Sequence, residues 1–252
     1  MTTTHPIASR DEWLQARKAL LAKEKALTRM RDQVAEERRR LPWVRVTENY
    51  VFDTPRGPRT LADLFDGRGQ LYVYHFMLTP GSDHLCPGCS FLADHFDAAR
   101  RHFEHADLSL AIISRAPLAQ ILPVKERMGW TFDWVSSHGI SFNYDYGASF
   151  TPEQVASGAT DYNYGTTPYA AQDIHGSSVF ARNDAGEVFH TYSTYARGDE
   201  ALLGTFAFLD LVPKGRNEQG TMSWVRLHDE YEDDGRRHVA AAGCCGDRVA
   251  AE

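Results

Sequence analysis

The sequence predicts a mixed α/β fold: one sheet with helices on both faces, preceded by a long N-terminal helix. Three observations carry this. From Val44 onward, short apolar runs alternate with segments of helical period, which calls for a largely parallel sheet core. Two of those runs, Leu71 to Leu78 and Leu108 to Ile113, are apolar on both alternations, as strands buried on both faces are. Ahead of them, residues 9–40 form one uninterrupted helical pattern dense in Lys, Arg and Glu.

Taken in order, Ser9 and Glu12 make a capping box, in which each side chain satisfies a backbone N–H at the helix start. Trp13, Leu20, Leu27 and Val34 then recur every seven residues, with Ala16 and Met30 near the same face. Such a stripe fits a helix laid on its own domain or a coiled-coil seam, and a homodimer through this helix is expected. Arg38-Arg39-Arg40 suits the negative end of the helix dipole, and Pro42 stops the helix. Val44 to Phe52 reads as a strand ending in the turn Thr54-Pro55-Arg56-Gly57-Pro58, and Leu61 to Phe65 as a short helical turn. The buried strand Leu71 to Leu78 leads to Cys86-Pro87-Gly88-Cys89 and a helix over Ser90 to His105. Leu108 to Ile113 is the next strand. A helix follows from about Pro117 to Met128, with a kink expected at Pro123 and an end at Gly129, and Thr131 to Val135 is a third strand.

Residues 137–176 are rich in Gly, Asn, Asp and Tyr and fit no regular period; they read as a functional or covering insertion. Ser178 to Arg182 and Glu187 to Tyr192 form a hairpin around Asn183-Asp184-Ala185-Gly186. Asp199 reads as the cap of a last helix through Leu202, Phe206 and Leu209. The division expected is a helical extension over 9–42, a domain over 43–231 and a disordered tail over 232–252. Strands, dithiol, helix, strand, helix, strand, insertion, hairpin and helix is the succession of a thioredoxin-like domain.

Composition narrows the function classes. The 252 residues carry a formal charge of −7, against the basic footprint of a nucleic-acid binder. No apolar run approaches the roughly 20 residues needed to span a bilayer, and no secretory signal pattern opens the chain, so a cytoplasmic protein without a membrane partner is expected. The four cysteines fall in two close pairs, Cys86/Cys89 and Cys244/Cys245. In a reducing compartment such pairs are catalytic or metal-binding more often than structural. Serine-nucleophile and phosphate-loop motifs are missing from the sequence.

The chemistry centres on Cys86 and Cys89. With Cys86 at the N-cap and Pro87 at the first helical position, the positive end of the helix dipole favours the Cys86 thiolate. Cys89 lies one turn in, on the apolar stripe of Leu92, Phe96, Ala99 and Phe103, and is expected to be shielded. An accessible thiolate attacks a substrate disulfide and a shielded thiol resolves the mixed disulfide. His84 is close enough in sequence to stabilise a thiolate, or is an exposed loop histidine. The competing reading is half of a zinc site, but two further ligands are needed and no second Cys-x-x-Cys exists. His75, His84, His95 and His102 do not form the usual paired spacing, and His75 in an apolar strand reads as a core residue. Cys244 and Cys245 read either as a mobile electron-passing pair or as a tail without a role. The tyrosine-rich insertion either lines a cleft beside the dithiol or caps the sheet.

The chain resembles the bacterial thioredoxin-like family numbered 899 among domains of unknown function, described as predicted dithiol–disulfide oxidoreductases. The resemblance runs from about Arg10 to Tyr231. It is carried by Arg38-Arg39-Arg40-Leu41-Pro42-Trp43-Val44, Leu64-Phe65-Asp66-Gly67, Tyr74-His75-Phe76-Met77 and Cys86-Pro87-Gly88-Cys89-Ser90-Phe91. Further blocks are Ser114-Arg115-Ala116-Pro117-Leu118, Met128-Gly129-Trp130, Phe142-Asn143-Tyr144-Asp145, the run from Phe189 to Gly198, and Arg226-Leu227-His228-Asp229-Glu230-Tyr231. It implies a thioredoxin-like fold and a redox role for Cys86 and Cys89; no cofactor is expected. Two departures stand out. No proline directly precedes the Ser178 strand, where thioredoxins carry a cis-proline; the nearest is Pro168. The peroxidatic pattern Pro-x₃-Thr/Ser-x₂-Cys is also missing, since Asp83 and Thr79 hold its positions before Cys86. The expectation is a thiol–disulfide oxidoreductase acting on a protein or small-molecule disulfide. A thiol peroxidase and a redox-silent, possibly metal-holding, binding protein are the alternatives.

Overall fold

The computed structural model describes residues 5–167 and 169–234. Pro168, Cys244, Cys245 and all but the first three residues of the expected tail lie outside the described residues. Helix α1 (Arg10–Arg39) opens on the expected capping box: Ser9 Oγ accepts the Glu12 N–H at 3.3 Å, and Glu12 Oε2 accepts the Ser9 N–H at 2.8 Å. None of its residues is buried.

The expected strand over Val44 to Phe52 is two short pieces. β1 (Val44–Arg45) pairs with the last strand at the sheet edge, whereas β2 (Val51–Phe52) pairs with β3 (Arg59–Thr60) as a separate hairpin. The chain turns between them because Tyr50 and Phe52 are buried against one face of the main sheet while Val44 stays exposed at its edge. A 3₁₀ turn at Asp63–Phe65 stands where a helical turn is expected.

β4 (Gln70–His75) is shorter than the apolar run suggests, because its antiparallel neighbour begins at Gly176, opposite His75. Helix α2 (Pro87–His105) follows the dithiol, then β5 (Leu108–Ser114), α3 (Leu118–Arg127) and β6 (Trp134–Ser136). Gly129, just past α3, takes φ +64°, the left-handed conformation that closes a helix. β6 starts later than expected because the Thr131 N–H is held by Asp97 at 2.8 Å instead of a strand partner.

The segment 137–176 is not wholly irregular. It contains two short helices, α4 (Phe142–Asp145) and α5 (Pro152–Ser157), and a kinked turn, α6 (Tyr162–Gly165), whose Asn163 and Tyr164 take positive φ, each too brief to leave a period in the sequence. Arg115 fastens it to the end of β5: its guanidinium pairs with Asp173 at 2.6 and 2.7 Å, and Thr79 and Ser149 each donate to the same carboxylate at 2.7 Å. The hairpin β7 (Gly176–Arg182) and β8 (Val188–Tyr195) follows, then a 3₁₀ stretch over Ala196–Leu202, α7 (Gly204–Leu209) and a final 3₁₀ turn.

The six-stranded sheet has the order β1-β8-β7-β4-β5-β6. β4, β5 and β6 run parallel, and β7, β8 and β1 pair antiparallel. One face is packed by α2, α3 and α7 around Tyr74, Leu92, Ile121 and Phe206. The other is covered by the β2–β3 hairpin, the Asp63–Phe65 turn and α4, around Leu71, Val73, Phe142 and Phe180. A parallel β-α-β unit beside an antiparallel hairpin and helix, with the dithiol after the central strand, is the thioredoxin-like layout. It sets Cys86 and Cys89 beyond the C-terminal end of β4, where α/β sheets place ligands.

Candidate active site at the start of helix α2

Cys86 is the N-cap of α2 and Pro87 its first helical residue, where the missing N–H costs nothing. Cys86 has extended backbone (φ −66°, ψ 116°), its carbonyl accepts the Ser90 N–H at 3.0 Å, and its Sγ accepts the Cys89 N–H at 3.3 Å. Both thiols are free, Cys86 half-buried and Cys89 only 1% exposed.

The two sulfurs differ in acidity. A hydrogen bond from the Cys89 thiol, helped by the backbone N–H groups of Cys89 and Gly88, lowers the Cys86 pKa to about 7 against the opposing effect of burial. Burial, followed by the neighbouring Cys86 sulfur, pushes Cys89 well up; the Tyr74 phenol beside it acts in the opposite direction. The pair therefore holds its negative charge on the outer sulfur. The apolar stripe below Cys89 runs through Leu92 and Phe96 into the core, but Ala99 is exposed, contrary to its expected place on that stripe.

A cavity of about 470 Å³ opens over the dithiol. Tyr74, Met77 and Leu92 line it from the core, Tyr169 from the insertion, and Met222 and Val225 from the C-terminal segment. The insertion thus lines the cleft through Tyr169 and packs the fold through Tyr162, which is buried with Phe150, Ile174 and Tyr195. His175 occupies the position just before β7. Its Nε2 donates to the Ala196 carbonyl at 3.1 Å, and burial lowers its pKa, so it stands neutral at the cavity wall. The Tyr162 hydroxyl donates to the His175 carbonyl at 3.0 Å and accepts the Ala196 N–H at 2.7 Å, locking the two ends of the hairpin together.

Asp199 corrects a sequence expectation. It caps no helix: α7 starts at Gly204 after Leu203, and Asp199 lies inside the preceding 3₁₀ stretch, 3% exposed, in the cavity wall. Burial raises its pKa to about 6, while hydrogen bonds with Ser177 and Tyr72 pull it back. Its Oδ1 is 3.3 Å from the Tyr72 hydroxyl, and Oδ2 is buried with no partner among the described residues. Nothing in the local sequence separates a buried acid here from a capping one; the signal is tertiary. The same holds for His175 and Met222.

The other histidines are dispersed. His84 is exposed at the cavity mouth. His75 is a core residue, bonded through Nε2 to Ser178 at 2.9 Å, with its pKa driven down to about 3 by burial. His95 Nδ1 donates to the Phe91 carbonyl at 2.7 Å and its Nε2 accepts the Thr205 N–H at 3.1 Å, a helix-to-helix clamp. His102 is exposed on α2. Among the described residues, no group of three or more His, Cys, Asp and Glu side chains is placed to hold a metal ion. No described helix is long and apolar enough to cross a membrane.

Sheet order and dithiol position together define a thioredoxin-like protein. Within that class, the chain belongs to the family described as bacterial protein of unknown function (DUF899), whose model matches residues 2–231. Comparison with curated proteins found no significant match. Among solved structures, the chain is similar to the bacterioferritin comigratory protein of Xanthomonas campestris at 14% identity, with 66% of this chain and 96% of that one covered and a TM-score of 0.45. It is also similar to peroxidoxin BcpB of Mycobacterium tuberculosis (18% identity, 64% and 92% covered, TM-score 0.35) and to the mitochondrial 2-Cys peroxiredoxin of Plasmodium falciparum (14%, 67% and 94%, TM-score 0.41).

Proposed function

We propose that the protein is a thiol–disulfide oxidoreductase in which Cys86 is the nucleophile and Cys89 the resolving thiol. The observation that carries this is the asymmetry of the pair: a half-buried N-cap thiol lowered to about 7 beside a buried thiol pushed up. Its lowered pKa keeps more of Cys86 as thiolate at neutral pH than a free thiol would be, so it attacks first. Attack on a disulfide breaks its S–S bond and leaves one half on Cys86. Cys89 gives up its proton, attacks Cys86 Sγ and releases the second half.

The test is trapping. Cys89→Ser should accumulate a mixed disulfide on Cys86 that mass spectrometry detects after challenge with a disulfide, and Cys86→Ser should form none there. If Cys86→Ser retains the reactivity of the native pair toward disulfides and toward peroxide, the chemistry is not at this site. Reaction of the native pair with hydroperoxide but not with disulfide would select the thiol-peroxidase alternative.

A further inference from the structure

We propose that the substrates of the Cys86–Cys89 pair are small disulfides with an apolar body, and that the segment 217–227 excludes disulfides held in folded proteins. This rests on the oxidoreductase reading above. That segment crosses the dithiol as a strap. Met222 sits over Gly88, so close that a Cβ added to Gly88 would lie 3.1 Å from the Met222 sulfur and 3.9 Å from Cys86 Sγ. Gly88 is not among the positive-φ glycines, and a side chain there would press the flexible tip of Met222 aside by a few tenths of an ångström.

The strap is held in place. Met222 adopts φ +58°, unusual for a side-chain-bearing residue, and Glu218 accepts its N–H at 2.8 Å. Val225 and Leu227 are buried in the core beneath it, and Trp224 packs edge-on to Phe91 at 5.9 Å. Beyond it, Asp229 pairs with Arg127 at 2.7 Å and His228 with Asp94 at 2.8 Å. With Tyr169 and His175 also in its wall, the thiols face a mostly apolar, partly open cavity of about 470 Å³ that Met222 and Val225 narrow. That volume suits a ligand of small-molecule size. At its rim the exposed Arg197 pairs with Glu200 at 2.6 Å, a carboxylate that it shares with Arg216. One half-cycle consumes one disulfide R–S–S–R′ and the protein dithiol and yields RSH, R′SH and the Cys86–Cys89 disulfide, which a thiol or dithiol reductant then returns to the dithiol.

The test uses the full chain with Cys244 and Cys245 replaced by Ser, reduced, in single turnover. Two probes share one reactive group: propyl pyridyl disulfide, and the same pyridyl disulfide joined by a two-carbon arm to the lysines of a folded carrier protein. Each rate is normalised to that of the urea-unfolded chain. The small probe should react about 100-fold faster than the carrier-bound one. Met222→Ala should reduce that ratio to about tenfold or less, while Met222→Leu, which keeps the bulk, should preserve it. Lengthening the alkyl tail from methyl to hexyl should raise the rate by about threefold or more as apolar surface is buried. Equal normalised rates for both probes, with Cys86→Ser inert to each, would overturn the strap while leaving the redox reading intact. A Cys86→Ser chain that reacts like its parent would remove the oxidoreductase reading itself.

Discussion

Asp199 is an acid held where water reaches it poorly, and its titration has a sign that can be worked out. Burial raises its pKa to about 6, above the roughly 3.9 of a free aspartate. The folded state therefore prefers the proton: the contribution to stability is complete below about pH 4 and is lost as pH rises through about 6. Asp199→Asn keeps the shape and removes the charge. It should stabilise the fold at about pH 8 by on the order of 2 kcal/mol, with the gain vanishing below about pH 4. Melting temperatures of parent and variant across that range check this; a gain independent of pH would mean that Asp199 is not the ionising group.

At the scale of the element, the start of α2 makes the outer thiol acidic. Cys86 as N-cap, Pro87 at the first position and Cys89 one turn in are all local features, so this part of the site was legible in the sequence. The largest influence on Cys86 is the hydrogen bond from the Cys89 side chain; the backbone N–H groups come after it. Cys89→Ala should therefore raise the midpoint of Cys86 alkylation by iodoacetamide above about 7, toward but short of the roughly 8.5 of a free thiol. Cys89→Ser keeps a donor and should hold the midpoint low. Equal midpoints in the two variants would assign the effect to the helix backbone alone. The remainder of the site was not legible for a physical reason. His175, Asp199 and Met222 reach the dithiol from β7, from the stretch after β8 and from the C-terminal strap, and such distant approaches leave no short-range period. Ala99 failed for the opposite reason: helical spacing predicts a face, and Phe103 keeps to it against the core, but Ala99 falls at its exposed margin.

For the whole molecule, the alternation of buried strands and helices was enough to anticipate the mixed sheet, and the apolar runs located its central strands. What escaped was non-local: β1 pairs with β8 at the far edge, and the insertion is fastened by Arg115 and Asp173, 58 positions apart. Helix α1 remains the outlying element. Arg31 and Arg38 turn toward the body, Arg38 lying over the Tyr192 ring at 4.7 Å. Trp13, Leu20, Leu27 and Val34 stay 43–52% exposed along one seven-residue stripe. A second copy of this helix is the occupant that spacing fits, because a heptad seam is self-complementary. Light scattering at micromolar concentration should give a dimer for the native chain and a monomer for Leu20→Glu with Leu27→Glu. A native monomer would dismiss the seam.

The strap has one more consequence, in time instead of space. Chains are made from the N-terminus at about 5–20 residues per second. The dithiol at 86–89 leaves the ribosome well before residues 217–227, and β7, which flanks the strand leading to it, also comes later. The N-cap thiol is therefore synthesised early and overlaid late. A chain cut short before Met222 lacks that cover over Gly88 and Cys86.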